Sequence, residues 1–383
     1  MRTFWYRLLW LFLWVSMAGL FLAAGGRPAA AGMLTMETPH FHIHFPDTPQ
    51  AKEIAAKAAA IAEEIHPLLT ERIGHTPKGR TEIYLMDTTD FTNGFADVIY
   101  YNRIGIYLAY PGQEAEWTAG FSMKAENWLR LVLTHEYAHI LHLDMNGGIT
   151  AGIRRVFGRV PYFTTPNLFL PPAHIEGFAV REETLNTGGG RGADPYYDMF
   201  LRTAVLTETV PAFDQMLGLY EEWRRDLEER YRAQTAELEK AGLTPVEELT
   251  GPIMAASPVF SPDGTALAYI TLGKKDFYPG LYLRDLRSGE DRLLVAGDIS
   301  SRPAWSPSGR QLVYAKPGYL EGEKLYNDLY LYDLDRQEER RLTRGARATD
   351  PAWSPSGDYL VYVARDNLET SLCQYDLAAG GAP

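Results

Sequence analysis

The sequence predicts an α+β domain followed by an all-β array of propeller blades. Three observations carry this. Strand and helix periodicities alternate between about residues 36 and 145. The last of those helices is apolar on most sides yet holds two histidines four residues apart. After Gly251 a turn-and-strand segment recurs three times. The 383 residues are 46% hydrophobic and 22% charged, which excludes disordered, collagen-like and coiled-coil chains. The net charge of −12 provides no basic stripe, so nucleic acid is excluded as a natural partner. Cys373 is the only cysteine, so no intrachain disulfide forms.

Residues 1–31 read as a signal peptide. Arg2 and Arg7 give a basic start, Leu8 to Ala24 an apolar core, and Ala29-Ala30-Ala31 a small-residue exit. Left uncleaved, the same segment is an N-terminal anchor, the one route to a membrane. Either way the chain is expected to work outside the cytoplasm.

An α+β domain is expected over residues 33–245. Phe41, Ile43 and Phe45 alternate with His40, His42 and His44, which is strand period with a polar, solvent-facing histidine face. Ala51 to Ile65 reads as a helix with Pro67 just past its end. Thr81 to Met86 and Val98 to Ala109 read as strands, and Ala125 to Met145 as a buried helix. A Gly/Pro-rich stretch from Gly147 to Pro172 leads to a second helix near His174. Gly177 and Ala179 on it would permit close helix approach. Gly188 to Gly192 reads as a flexible turn, and Leu219 to Lys240 as a charged amphipathic helix.

The buried helix contains Thr134-His135-Glu136-Tyr137-Ala138-His139, an H-E-x-x-H pattern. Residues four apart on a helix project from one face, so His135 and His139 can share one ion. Glu136, one position round, can take the proton of a water whose pKa zinc lowers. A third ligand is needed. A histidine six residues after His139 would suit a metzincin, but Met145 stands there. His142 lies seven residues from His135, ~10.5 Å along a straight helix, and is read as a core or second-shell histidine. Glu176, in His174-Ile175-Glu176-Gly177-Phe178-Ala179, is the better candidate, because the intervening Gly/Pro loop lets its helix fold back. Glu183, seven residues on, faces roughly the same way; it either orients a ligand histidine from the second shell or belongs to a solvated helix end.

Residues 251–383 are expected to form two propeller blades and part of a third. Pro258 to Gly264, Pro303 to Gly309 and Pro351 to Gly357 repeat one pattern, with Ser261, Ser306 and Ser354 spaced by 45 and 48 residues. Proline fixes one turn angle and glycine takes the left-handed position. Each turn precedes an apolar strand, and Cys373 is expected as buried packing in a later one.

The repeats resemble TolB-like propellers. H-E-x-x-H followed by Glu-Gly-Phe-Ala resembles the gluzincins, zincin-like metallopeptidases in which a glutamate completes the metal site. Together they resemble exported gluzincins with a C-terminal TolB-like propeller. The resemblance implies Zn2+ on His135, His139 and Glu176, Glu136 as general base, and a polypeptide substrate. It also implies a substrate-binding edge strand around Asn93, Gly94, Phe95 and Ala96. Such relatives have a longer helical stretch where Phe213 to Met216 here runs almost directly into Leu219 to Trp223, and their oxyanion-stabilising group often lies beyond the third ligand. Tyr196 and Tyr197 are the candidates for that role. The expected function is an exported zinc metallopeptidase. The alternative is a non-catalytic binding protein, with a partner on the propeller and a zinc-stabilised peptidase-like scaffold.

Overall fold

The computed structural model describes residues 32–109, 128–160, 163–194, 255–271, 279–320, 322–366 and 369–378, with scattered residues between 197 and 249. Residues 1–31, Tyr196 and the junction at Met216 lie outside the described residues. Among the described residues no helix is long and apolar enough to cross a membrane.

The N-terminal domain is built on a five-stranded mixed sheet. Strands β1 (Met33–Glu37), β2 (Phe41–Pro46), β3 (Thr81–Met86), β4 (Gly94–Asp97) and β5 (Arg103–Tyr107) lie in the order β1-β2-β3-β5-β4. β2, β3 and β5 run parallel, while β1 and β4 are antiparallel edges. In β2 the apolar residues are buried and the histidines half-buried. Those histidines are not free in solvent, as the alternation suggests. His42 and His44 both hydrogen-bond Glu82 of the neighbouring strand, at 2.9 and 2.6 Å, and His40 bonds Glu63 at 2.8 Å. A carboxylate set opposite each imidazole gives it a partner that a single strand's pattern cannot reveal.

Helix α1 (Pro49–Ile73) joins β2 to β3 and covers the sheet. Thr48 caps it, its hydroxyl accepting the Ala51 N–H at 3.1 Å. The helix runs eight residues beyond the expected end at Ile65, with Pro67 inside it. Its apolar stripe continues through Ile65 and Leu69, both buried, and that packing outweighs the donor lost at Pro67. The strand expected from Val98 is shorter, because Asp97 closes a turn: it accepts the Ile99 N–H at 2.8 Å and pairs with Arg103.

Helix α2 (Trp128–Asp144) is buried at every position except Arg130. It packs against α1, β4, β5 and helix α4 (Pro172–Thr187), which returns after helix α3 (Gly148–Phe157). Ala179 of α4 is fully buried, whereas Gly177 faces open space and permits no closer approach. The described residues from 225 to 240 are helical.

Three antiparallel sheets follow. The first holds β6 (Ala255–Phe260), β7 (Ala266–Thr271), β8 (Gly280–Asp285) and β9 (Asp291–Ala296). The second holds β10 (Ala304–Trp305), β11 (Gln311–Leu320), β12 (Lys324–Asp333) and β13 (Glu338–Arg341). The third holds β14 (Ala348–Trp353), β15 (Tyr359–Asp366) and β16 (Glu369–Asp376). Cys373 sits in β16 but is half-buried rather than enclosed, since β16 is the outer strand of its sheet.

The repeat turns explain themselves. Ser261, Ser306 and Ser354 each accept a backbone N–H five residues on, at 2.9, 3.0 and 3.2 Å. Gly264, Gly309 and Gly357 take left-handed φ values of 69°, 70° and 81°. The sheets also interlock. The Trp305 indole N–H donates to the Val259 carbonyl of the first sheet, and Trp353 donates to Ala304 of the second, both at 3.1 Å. The repeated tryptophan is therefore a tie between blades. Trp305→Phe, which leaves a ring but no donor, is expected to lower stability by about 1 kcal/mol in urea unfolding. An unchanged midpoint would show that the tie contributes nothing.

Candidate metal centre

α2 sets His135 and His139 one turn apart, with their Nε2 atoms facing each other at 3.0 Å. α4 brings Glu176 to the same point, its carboxylate oxygens 3.5 Å from His135 Nε2 and 3.7 Å from His139 Nε2. The donor atoms of all three lie within 4.8 Å of one another. Both imidazoles are buried, while the Glu176 side chain is 59% exposed and marks the open side.

The ring of His135 is held from behind. Its Nδ1 lies 2.8 Å from Glu183 Oε2, and Glu183 is fully buried. A carboxylate there keeps the proton on Nδ1 and leaves the Nε2 lone pair for a cation. Glu183 is itself gripped by Arg191, whose backbone N–H and Nε donate to Oε1 at 2.9 and 3.0 Å and whose guanidinium donates to Oε2 at 3.0 Å. The segment from Gly188 to Gly192 is thus no mere flexible turn: a short 3-10 helix, Arg191–Ala193, delivers that arginine. Sequence reading missed Arg191. Its one signal was a lone arginine within the glycine run, eight residues after Glu183. Glu182 is buried too, in contact with Arg181 and the Asn186 side chain.

Electrostatics of the metal-free cluster point the same way. Burial works against a charged His135, but Glu176, Glu183 and Glu136 outweigh it and push its pKa up to about 9. The facing imidazoles of His135 and His139 hold Glu176 well below the usual carboxylate range. Burial would raise Glu183, yet hydrogen bonds from His135 and Arg191 bring it to about 2. Two imidazole nitrogens and a carboxylate are a donor set that zinc takes, with one position left for water or substrate. The residues present fit that ion.

Glu136 lies between the two histidines in sequence and is buried, and burial raises its carboxyl pKa against the pull of His135 and His139. β4 passes directly over it. A Cβ added at Gly94 would lie 2.7 Å from Val132 Cγ2 and 2.9 Å from Glu136 Oε1, so only glycine lets the strand sit this close. The Tyr107 N–H donates to the Asn93 carbonyl at 3.1 Å, so Asn93 and Phe95 bond inward to β5. Gly94 and Ala96 then turn their backbone groups to the open edge, where Asn93 Oδ1 holds the Gly94 N–H at 2.9 Å. Phe95 is partly exposed and its ring covers Gly105.

The other candidates divide. His142 does not join the cluster: its ring stacks on Phe178 at 4.4 Å, and its buried Nδ1 has no hydrogen-bond partner. Tyr197 is half-buried and interacts electrostatically with Arg191.

Comparison with known proteins reaches the other half of the chain. A family model described as PD40, the TolB beta propeller domain, matches residues 206–382. The C-terminal region is a TolB-like β-propeller. The Tol-Pal system protein TolB of Alcanivorax borkumensis is 32% identical over 83 residues, 21% of this chain and 18% of that protein. The chain therefore matches under a fifth of this curated relative's length. Among solved structures, TolB from Acinetobacter baumannii superposes with a TM-score of 0.29 at 22% identity, covering 34% of this chain and 31% of that one. The propeller domain of the trilobed protease from Pyrococcus furiosus gives 0.28 at 13%, covering 34% and 41%. The family match begins beyond His135, His139 and Glu176.

Two outcomes follow from the cluster. Glu183→Gln is expected to weaken zinc affinity roughly 10–100-fold in a competition titration with a chromogenic chelator; unaltered affinity would show that Glu183 does not support His135. In the metal-free protein, His135 contributes stability that is complete below its ordinary 6.5 and lost as pH rises through about 9. The melting temperature of the metal-free protein should therefore fall across that window. Saturating zinc, which takes the proton's place, should flatten the fall.

Proposed function

We propose that this chain is an exported zinc metallopeptidase whose propeller engages the polypeptide it cuts. The observation that carries the reading is the convergence of His135, His139 and Glu176 beside a buried Glu136. Zinc bound to those three residues would polarise a peptide carbonyl and make a water ligand acidic near neutral pH. Glu136, with its raised pKa, is suited to accept a proton from the attacking water and return it to the leaving amine. Glu183, itself held by Arg191, accepts the Nδ1 proton of His135 and leaves Nε2 free. The open edge of β4 offers Gly94 and Ala96 backbone groups to an extended peptide, which binds as an added strand. In that pose Asn93 Oδ1 yields the Gly94 N–H to the peptide carbonyl. Tyr197, coupled to Arg191, is the described candidate for steadying the oxyanion. The basic, apolar and small-residue succession over residues 1–31 supports a site of action outside the cytoplasm.

A second reading rests on a different observation. The family match covers the propeller alone, and the curated relative is named as a Tol-Pal system protein, not a peptidase. This favours a protein-binding role in which the propeller does the work and zinc stabilises the scaffold beside it. The two readings separate at one residue. Glu136→Gln should keep one zinc per chain and lose cleavage of an unstructured protein by at least about 100-fold. Equal turnover by both proteins would refute Glu136 as the base. A zinc-loaded parent chain that cleaves nothing would leave the binding reading in possession.

A further inference from the structure

Among the described residues, the propeller touches the N-terminal domain at a tightly built place that lies at the root of the edge strand. Arg347, just ahead of β14, is only 7% exposed. Its Nε donates to Asp90 Oδ1 at 2.6 Å, and its guanidinium donates to Asp87 Oδ1 at 2.7 Å and to the Leu108 carbonyl at 3.4 Å. Asp90 is 3% exposed, and its other oxygen accepts the Asn327 N–H of β12 at 2.8 Å. The Tyr326 hydroxyl donates to the Asp87 carbonyl at 3.1 Å, and the Tyr326 ring lies 4.6 Å under the Arg347 guanidinium. Main chains join as well. The Leu325 N–H donates to Thr88 at 2.9 Å, and the Asp90 N–H donates to Leu325 at 3.3 Å.

The gripped segment is short and consequential. Asp87 follows the last residue of β3, and Asp90 precedes Gly94 by four residues. Leu108 follows β5, the strand on which β4 is paired. The flank before β4 is thus tied to β12 and to Arg347, and the flank after β5 to Arg347. Gly94 in turn rests against Glu136. Arg347 takes a left-handed φ of 50°, an unfavourable backbone for a residue with a side chain. A strained, buried arginine with two carboxylates and a carbonyl around it fixes position better than it adds stability.

We propose that Arg347 is a positioning residue: from the propeller it sets where β4 lies over Glu136, so that peptide binding on that edge depends on the propeller. The propeller's contribution is then geometric as well as adhesive. The substrate class this suits is an extended, unfolded polypeptide, which needs a straight, fixed strand edge along several residues. The proposal rests on the peptidase reading for its kinetic consequence, but not for its structural one.

The test uses the full chain loaded with zinc. Arg347→Met should leave zinc at one per chain. It should speed amide hydrogen exchange over residues 87–97 by roughly tenfold. It should raise KM for an unstructured protein about tenfold while kcat stays within about twofold. Arg347→Lys should restore part of both effects. Tyr326→Phe removes a single hydrogen bond and should shift exchange and KM in the same direction by less, which covers a failure of Arg347→Met to fold. Unchanged exchange over 87–97, or a fall in kcat with KM unaltered, would overturn the proposal. If the parent chain cleaves nothing, the peptidase reading fails alone, and the exchange rates still decide whether Arg347 holds β4.

Discussion

The N-terminal domain is organised around a buried cluster of ionisable side chains. α2 and α4 bury His135, Glu136, His139 and Glu183 in one small volume, with Glu176 at its mouth. Two of these carboxylates are held ionised and a third is pushed towards its neutral form. Isolated buried charge is among the costliest features a fold can carry, and it persists where a counter-charge answers it. In the cluster as it stands, Arg191 and a protonated His135 provide that answer. The two Nε2 atoms facing each other at 3.0 Å, with the Glu176 carboxylate beside them, form a donor set that would suit a divalent cation in place of the His135 proton.

The remainder of the domain serves that arrangement. α1 and the parallel strands form the wall that keeps α2 dry, and Tyr137 fastens α2 to α1 through the His66 ring at 2.6 Å. β4 is the edge nearest Glu136 and is admitted by a glycine. The propeller is held by ties between successive blades, and it also grips the loop that leads into β4. A fold assembled this way connects the propeller to the loop beside Glu136 through two carboxylates and one arginine.

Much of this was legible in the residues. Period-two alternation located β2, and the Ser-Pro turns located the repeated sheets, because each pattern records a local rule that packing did not overturn. H-E-x-x-H placed two donors on one helix face by helical geometry alone. What escaped needed tertiary partners. Pro67 marked a helix end by local chemistry, but Leu69 and its neighbours gained more from staying helical. The His40, His42 and His44 face reads as solvated in one strand alone, because its partners Glu63 and Glu82 come from other elements. Arg191 and Arg347 were invisible for the same reason: their meaning lies in carboxylates eight and more than 250 residues away.

The claim on which the account stands is that one ion sits between α2 and α4. X-ray absorption at the zinc edge on the purified chain tests it most directly. The account predicts a single site with two histidine nitrogens and a carboxylate oxygen at about 2.0–2.2 Å, and loss of the oxygen ligand's signature in Glu176→Ala. A spectrum with no zinc, or with more than two imidazoles as from the His40, His42 and His44 face, would contradict it.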